Sequence, residues 1–296
     1  MTPRTAKHEK IAIGTAQFGM PYGIANRNGQ TPRDEAEKIL SRAAEHGIDT
    51  LDTAINYGVS ETTLGAIGVA NWKVVSKLPA APEDMLLPGW LINAVHGSLQ
   101  RLKIDQLEAL LLHRPEQLLG DHGEQLYAAL CDARDNGLTR KIGVSVYTTD
   151  ELARLTQAYH FDLIQAPLNI FDRGLIQSGW LQSLADKGVE VHTRSAFLQG
   201  LLLMPARSRP ARFERWDDLW QRWDTWLRTS NTDPLAACIG YPLSLDAVAK
   251  VVVGVDSVTQ LEEILNAAAQ NRDLSIPDDL QCNDAQLINP ALWPSP

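Results

Sequence analysis

The stretch Leu51-Asp52-Thr53-Ala54-Ile55-Asn56-Tyr57-Gly58 places a carboxylate and a phenol where an apolar run gives way to a loop. The residues before it predict the end of a helix and a short strand, and Ser60-Glu61 after it predicts the N-cap of another helix. Asp52 and Tyr57 would therefore lie at the C-terminal end of a strand. In parallel α/β folds that end carries the loops that can vary without disturbing the sheet, and active sites form there.

A short apolar run followed by a helical pattern recurs along the chain on both sides of this stretch. The apolar runs begin near Ile11, Ile48, Lys73, Leu107, Lys141, Leu163, Val189 and Ala249. Helices are predicted over residues 31–46, 60–69, 88–102, 123–136, 149–159, 174–187 and 257–270. The first of them has Thr31 as a candidate N-cap and Pro32 at its first position, and Gly137 suits the left-handed position after the fourth.

Eight such alternations predict a single-domain (β/α)8 TIM barrel over residues 1–296, with a core of about 11–270 and a C-terminal tail of 275–296. The runs are apolar because a parallel sheet is buried on both faces. A doubly wound sheet is the alternative fold. Its glycine-rich G-x-G-x-x-G turn is absent, as is a phosphate loop ending in G-K-S/T, so the barrel is preferred.

The composition argues against several classes of protein. The chain is 44% hydrophobic, enough for a substantial core, and its net charge of −9 comes without a basic run, so nucleic-acid binding is not expected. Cys131, Cys238 and Cys282 are odd in number and far apart, which predicts a reducing compartment and no structural zinc or other metal. The polar first ten residues and the lack of a long apolar run predict a cytoplasmic protein with no membrane span.

The ends of the second, third and fourth predicted strands carry a chemically coherent set of side chains. Asp52 and Tyr57 follow the second strand, Lys77 ends the third and His113 ends the fourth. Adjacent strand ends of a barrel converge, so these residues can meet. A neighbouring ammonium would lower the pKa of the phenol, and Asp52 would compensate Lys77. With His113 orienting a carbonyl, the set suits protonation of an oxygen during hydride reduction.

Each of these residues also has an ordinary structural interpretation. Tyr57 could pack or lie on the surface, Lys77 could be a solvated strand end, and His113 could be a satisfied core histidine. Asp52 could merely cap a turn. Because the four residues occur together at three successive strand ends, the catalytic interpretation is favoured over these structural ones.

The order and spacing of these residues resemble the aldo-keto reductase superfamily from about residue 11 to 270. The resemblance rests on Gly14-Thr15-Ala16-Gln17-Phe18-Gly19, Asp52-Thr53-Ala54 with Tyr57-Gly58 and Ser60-Glu61, Lys77, His113, Gly143-Val144-Ser145, Gln165 with Asn169, and Gly254 with Ser257, Gln260 and Glu263. It implies a nicotinamide cofactor bound extended across the strand ends of a (β/α)8 barrel. Tyr57 would be the general acid, Lys77 and Asp52 would tune it, and His113 would orient the carbonyl.

The resemblance also implies where the cofactor binds. Ser145 and Gln165 would bind the nicotinamide carboxamide, and residues Ser195 to Gly200 would surround the pyrophosphate. The implied cofactor contacts are Gly14, Thr15, Ala16, Asp52, Ser145, Gln165, Arg194, Ser195, Phe197, Gln199, Gly200, Gly254, Ser257, Gln260 and Glu263. Independently of the family, a helix N-terminus near Ser257 would offer unpaired N–H groups to a phosphate.

Two positions depart from the family pattern. Arg194 stands where an aromatic ring often lies against the nicotinamide, and we hypothesise that it favours an anionic or polyhydroxylated substrate, the alternative being an ion pair with a nearby acid. Asp256 stands where many NADP-preferring members have a basic or neutral residue. The expected cofactor remains NADP(H) rather than NAD(H), with Arg272 as a candidate contact for the phosphate.

Two further segments lie outside the pattern of strands and helices. Trp216, Trp220, Trp223 and Trp226 follow helical spacing in an insertion at 199–230, which predicts a packed helix face, part of which could wall the substrate pocket. The tail beyond about residue 275 could pack across the mouth of the barrel or be loose.

The main functional hypothesis is an NAD(P)H-dependent reductase of an aldehyde or ketone, sugar-derived by our guess, which acts as a monomer. The reverse reaction would make it an alcohol or aldose dehydrogenase. A cofactor-binding regulatory or scaffold protein is the alternative, which loss of a residue among Asp52, Tyr57, Lys77 and His113 would favour. A barrel hydrolase or lyase lacks a second acid at the strand ends, because Asp162 and Asp172 fit such a position poorly.

Overall fold

The structure, a computed structural model, describes residues 7–26, 28–82, 87–270 and 274–293. Eight parallel strands pair in chain order, and the last pairs with the first to close a barrel. The strands are β1 Ile11–Gly14, β2 Thr50–Asp52, β3 Lys73–Leu78, β4 Leu107–Leu112, β5 Thr139–Ser145, β6 Leu163–Pro167, β7 Glu190–Arg194 and β8 Lys250–Gly254. The predicted (β/α)8 barrel is confirmed.

Helices follow the strands around the outside. The α-helices are Ala16–Gly19, Arg33–Glu45, Ser60–Ile67, Leu87–Leu102, Gly123–Asp135, Thr149–Ala158, Gly174–Gln177, Trp180–Asp186, Asp217–Thr229, Pro234–Leu243, Val258–Ala269 and Ala285–Ile288. The 3₁₀ turns are Lys7–Lys10, Pro115–Leu119, Leu198–Leu203, Ala206–Ser208, Ala211–Trp216, Asp278–Leu280 and Pro290–Leu292. None of the helices in the described ranges is both long and apolar enough to cross a membrane.

The core lies between the barrel and the helices. Helix Leu87–Leu102 shows why: Leu91, Val95, Leu99 and Leu102 recur at helical spacing and are all buried in this layer. Successive strand residues point to opposite faces, so the same strands also fill the barrel interior. Val75, Ala109, Leu111 and Leu163 form a small apolar cluster of their own there.

Several local predictions were wrong. Helix Arg33–Glu45 has no side-chain cap, and the Thr31 hydroxyl is buried without a hydrogen-bond partner. Ser60 lies inside the first turn of its helix, and its hydroxyl bonds elsewhere. The predicted helix 174–187 is two short helices, because Gly179 adopts a left-handed φ of +76° between them. Gly137 is left-handed as predicted, at φ +76°.

The insertion after β7 and the C-terminal tail pack against each other. Trp220 and Trp223 are buried in a second apolar cluster that also contains Leu280 and Leu287 of the tail. The amide of Cys282 donates to the Phe171 carbonyl at 2.8 Å. The described part of the tail is therefore packed beside the mouth of the barrel, and the predicted helix face of tryptophans is a packing face.

Candidate active site

Two loops at the carboxyl end of the barrel hold Tyr57 in place. A Cβ on Gly19 would overlap the carbonyl oxygen of Tyr57, and a Cβ on Gly58 would overlap the carbonyl oxygen of Gly19. Gly58 also has a φ of +53°, which favours glycine. The two loops can meet this closely only because both positions lack a side chain.

Hydrogen bonds tie the backbone of Asp52 to the neighbouring strand. The amide and hydroxyl of Thr15 donate to the Asp52 carbonyl at 2.9 and 3.0 Å. The Ser60 hydroxyl donates to the Thr15 carbonyl at 2.8 Å. Ser60 thus links the loop after β2 to the end of β1, a contact between distant residues that replaces the predicted cap.

Asp52 and Lys77 form a buried ion pair behind this loop. Lys77 Nζ donates to Asp52 Oδ1 at 2.6 Å and to the Thr53 carbonyl at 3.0 Å. Gln165 Nε2 donates to Asp52 Oδ2 at 2.6 Å. The side chains of Lys77 and Asp52 are only 1% and 5% exposed. Each charge therefore depends on the other for compensation, since water is excluded.

Tyr57 lies in contact with this pair and with His113. Lys77 Nζ is 5.2 Å from the centre of the phenol ring, and the rings of Tyr57 and His113 meet edge to face at 5.8 Å. Burial and then the Asp52 charge raise the pKa of Tyr57 above its ordinary value, against a lowering effect of Arg194. The predicted net lowering of this pKa is therefore wrong, because burial and the Asp52 charge outweigh the cations nearby. The phenol stays protonated at neutral pH.

His113 is neutral in this environment. Burial, followed by the charge of Lys77, lowers the pKa of His113 to about 4, while Asp52 acts in the opposite direction. A neutral imidazole has one N–H donor and one acceptor nitrogen. His113 can therefore donate a hydrogen bond to a carbonyl oxygen without competing with Tyr57 as a proton source.

One elongated cavity of about 560 Å³ runs from these residues across the strand ends to the start of helix Val258–Ala269. Most of the residues predicted as site residues line it: Gly14, Thr15, Ala16, Asp52, Tyr57, His113, Gln165, Arg194, Ser195, Phe197, Gln199, Gly200, Gly254, Gln260 and Glu263. No tryptophan is among its described lining residues, so the suggestion that the tryptophan helix walls the pocket finds no support. Pro290 and Ala291 of the tail do line it.

Three predicted residues lie behind the cavity wall rather than on it. Lys77 is covered as described above, and the Ser145 hydroxyl is buried and donates to Gln165 Oε1 at 3.3 Å. The Ser257 hydroxyl accepts from the Gln260 amide at 3.2 Å as the cap of helix Val258–Ala269. In this structure Ser145 and Ser257 therefore orient neighbours that face the cavity.

The start of helix Val258–Ala269 is less suited to an anion than predicted. Its Val258 amide donates to the carboxylate of Glu35 at 2.9 Å, and the Asp256 amide donates to Gln260 Oε1 at 2.8 Å. Asp256 and Glu263 add two carboxylates to the same end of the cavity. The predicted phosphate contact Arg272 lies outside the described residues.

Arg194 faces the opposite end of the cavity. Its guanidinium donates to the Val146 carbonyl at 2.9 Å and stacks on the ring of Tyr147 at 4.2 Å. It also lies 3.4 Å from the Ser195 hydroxyl. Within the described part of the chain it forms no ion pair, so the alternative of a structural pair with an acid finds no support.

Sequence reasoning missed several cavity residues. Tyr22 and Asn26 come from the β1 loop, and Tyr147 from the loop after β5. Tyr147 was detectable, because it comes two residues after Ser145 at a strand end. Tyr22 and Asn26 carried no such signal, because a loop of this length can lie in many ways over a barrel.

Comparison with known proteins identifies the family. The model of the aldo/keto reductase family matches residues 10–278. The chain is 33% identical over 168 residues to 6-dehydroglucose reductase of Novosphingobium aromaticivorans, a match that covers 51% of this chain and 54% of that protein. It is 29% identical over 328 aligned positions to D-threo-aldose 1-dehydrogenase of a Pseudomonas species, covering 96% and 97%. The chain thus spans about half the length of the first relative and nearly all of the second.

Solved structures show the same fold. An aldo-keto reductase from Bacillus halodurans in its holo form superposes with a TM-score of 0.69 at 21% identity, covering 88% of this chain and 86% of that one. The family model matches nearly the whole chain. The eight strands close a barrel, and the residues named above gather at its carboxyl end. This chain belongs to the aldo/keto reductase family.

Proposed function

We propose that this protein is a nicotinamide-dependent oxidoreductase that reduces an aldehyde or ketone to an alcohol, with Tyr57 as the general acid. The observation that carries the proposal is the placement of Tyr57 and His113 on the cavity, with the buried Lys77–Asp52 pair directly behind them. Membership of the aldo/keto reductase family supports this reaction class.

The residues present fit a nicotinamide cofactor. A Cβ on Gly254 would overlap the Gln17 side chain, so this glycine lets the Gln17 amide lie against the end of β8 on the cavity wall. The Gln165 amide is held by Asp52 on one side and Ser145 on the other, in a position to bind a carboxamide. Gln260 and Glu263 would bind the adenosine end. When bound, the cofactor supplies the hydride.

The residues around Tyr57 provide the proton and bind the carbonyl oxygen. His113 is neutral and donates an N–H to that oxygen, which orients and polarises the carbonyl group. Tyr57 keeps its proton until negative charge develops on the oxygen and then transfers it there. Lys77 stabilises the phenolate that remains, and Asp52 holds Lys77 in place.

We propose that the far end of the cavity, at Asp256, Gln260 and Glu263, favours NAD(H). Asp256 and Glu263 bring carboxylates to the region where the adenosine would lie, and such charges repel a 2′-phosphate. Glu35 accepts from the first amide of the neighbouring helix and so occupies a donor that a phosphate would need. A carboxylate can instead accept a hydrogen bond from a free ribose hydroxyl. This reverses the NADP(H) preference predicted from the sequence, which the comparisons leave undecided.

A sugar-derived carbonyl compound is the proposed substrate class. The two relatives named above are, by name, a dehydroglucose reductase and an aldose dehydrogenase, which supports this choice. The hydroxyl groups of Tyr22 and Tyr147 line the cavity near Tyr57 and offer hydrogen bonds to a polyhydroxylated molecule.

The test begins with binding. NADH and NADPH are titrated into the purified protein, with bound cofactor followed by its own fluorescence, because no described lining residue is a tryptophan. Aldehydes and ketones are then screened for oxidation of the cofactor, with Tyr57→Phe as the control. Binding without turnover of any carbonyl compound would favour the scaffold alternative. If neither cofactor bound, the proposal would be wrong.

A further inference from the structure

The electrostatic environment of Arg194 differs from that of the other charged residues in the described part of the chain. Among the described residues that line the cavity it is the only arginine or lysine. Asp52, the one carboxylate among the described lining residues at this end, is already paired with Lys77. Burial raises the pKa of Asp172 and of Glu151 and the charge of Arg194 acts against it, but neither carboxylate forms an ion pair with Arg194. We call the end of the cavity that holds Tyr57 and His113 the reaction end. It therefore carries a positive charge that no described carboxylate neutralises by direct contact.

The guanidinium of Arg194 is also held in position before any ligand arrives. One side of it stacks on Tyr147, and its bond to the Val146 carbonyl fixes the direction of the fork. A guanidinium has five N–H donors, and its planar fork matches a carboxylate in bidentate geometry. With bonds to Val146 and Ser195, donors remain for a ligand.

Arg194 lies at the same end of the cavity as Tyr57 and His113, the groups proposed to react. Tyr57, Tyr22 and His113 line the same cavity as Arg194, and the charge of Arg194 acts to lower the pKa of each of them. A group bound to Arg194 would therefore belong to the same molecule as the carbonyl at Tyr57, or to one directly beside it.

Building on the proposed carbonyl reduction, we infer that Arg194 forms an anion subsite, with the hydroxyls of Tyr22 and Tyr147 beside it, which binds a carboxylate carried by the substrate. The substrate class is thereby narrowed to carbonyl compounds that bear a carboxylate, such as sugar acids. A single cationic partner suits a monoanion, because a phosphate dianion would leave a second charge without a partner here.

The experiment compares matched substrates in the full-length protein. D-Glucuronate and D-glucose share a skeleton and differ in a carboxylate, and succinic semialdehyde and butanal form a smaller pair. We expect wild type to prefer the acid of each pair by at least tenfold in kcat/KM, and Arg194→Gln to lose that preference. Arg194→Lys retains the charge without the fork and should keep part of it. The acid and its neutral partner are compared within each variant, so any effect of the substitution on cofactor binding cancels in the ratio of their kcat/KM values.

A matched control removes the same charge elsewhere. Arg154 is exposed on helix Thr149–Ala158 and does not line the cavity, so Arg154→Gln should leave the ratio unchanged. D-Glucose 6-phosphate tests the other anion: a preference for it over D-glucuronate would overturn the carboxylate assignment. Equal kcat/KM for acid and neutral partner in wild type would overturn the subsite altogether, while the reductase activity would stand.

A binding measurement keeps the inference separate from turnover. Calorimetric titration with D-gluconate, which has no carbonyl group to reduce, should give heat of binding in wild type and in Arg154→Gln, and at least tenfold weaker binding in Arg194→Gln. If no carbonyl compound is reduced by the protein, the proposed function fails but this titration still decides the anion subsite. Equal D-gluconate affinity in wild type and Arg194→Gln would refute it.

Discussion

The two ends of the cavity are built on different principles. At one end, Tyr57 lies beside a buried ion pair whose two members are almost inaccessible to water. At the far end, Asp256 and Glu263 are partly or largely exposed and lie beside a helix whose first amides are already bonded to side chains. The end at Tyr57 is therefore preorganised by burial, whereas the far end is an exposed acidic surface.

This difference predicts where a substitution costs stability and where it changes only binding. A buried charge that loses its partner is penalised in the folded state, because no water replaces the lost interaction. An exposed carboxylate that is neutralised changes the local potential and little else. The predictions below use paired variants at the two ends.

The largest expected effect concerns Tyr57. Tyr57→Phe keeps the ring that packs on His113 and removes the proton donor, so kcat should fall by about 10² to 10⁴, the usual contribution of a general acid. Cofactor affinity should stay within about twofold of wild type. The measurement is steady-state reduction of the best carbonyl substrate alongside a cofactor titration. Retention of more than a tenth of kcat would remove Tyr57 from the proton-donor role.

The second prediction tests the buried pair. Lys77→Met leaves the Asp52 carboxylate charged, buried and bonded only to Gln165, which should cost about 3–5 kcal/mol of unfolding free energy. Lys38→Met is the matched control, because Lys38 pairs with Asp34 and Glu35 on the surface and should cost no more than about 1 kcal/mol. Urea unfolding at neutral pH measures both. The double variant Lys77→Met with Asp52→Leu should recover part of the lost unfolding free energy. If Lys77→Met and Lys38→Met lowered the unfolding free energy equally, the contrast between the buried and the exposed pair would be wrong.

The third prediction uses pH at the reaction end. His113 has a pKa near 4 in the folded protein and 6.5 as its ordinary value, so the unfolded chain binds its proton first as pH falls. The stabilisation from neutral His113 is complete above pH 6.5 and is lost between pH 6.5 and 4, by roughly 2–3 kcal/mol. The difference in unfolding free energy between wild type and His113→Gln should shrink over that window. A difference independent of pH would mean that His113 titrates normally.

The smallest expected effect lies at the far end. Asp256→Asn removes one carboxylate and keeps its shape, so the ratio of NADPH to NADH affinity should rise by about tenfold, equivalent to about 1.4 kcal/mol. Glu37→Gln on helix Arg33–Glu45 changes the net charge equally at an exposed site and should leave the ratio unchanged. Unfolding free energy should change little in either variant. An unchanged ratio in Asp256→Asn would show that Asp256 does not face the ribose.

Much of the fold was predictable because the barrel repeats one simple pattern. Runs such as Leu107–Leu112 are largely apolar and buried along nearly their whole length, so apolar composition identifies them. The errors occurred where a residue had a partner far along the chain. Ser60 was predicted to cap a helix, yet its hydroxyl donates to Thr15, 45 residues away. Sequence spacing gives no indication of such contacts.

The candidate site was predictable in membership and less so in chemistry. The positions of Asp52, Lys77 and His113 at successive strand ends are enough to expect them together, because parallel strands of a barrel converge at one end. The direction of the Tyr57 pKa was predicted incorrectly, because it depends on how completely water is excluded. The NADP(H) preference stays a prediction, and it was made without knowledge that Glu35 accepts from the first amide of helix Val258–Ala269.

The sequence by itself determined the order of strands, the barrel and the set of side chains at its carboxyl end, since all three follow from local periodicity and from the geometry of parallel strands. Only the tertiary structure decided that Arg194 stacks on Tyr147 instead of pairing with an acid, and that the far end of the cavity is acidic. Burial, electrostatic compensation and hydrogen-bond partners are properties of residues brought together from distant parts of the chain, which no local pattern encodes.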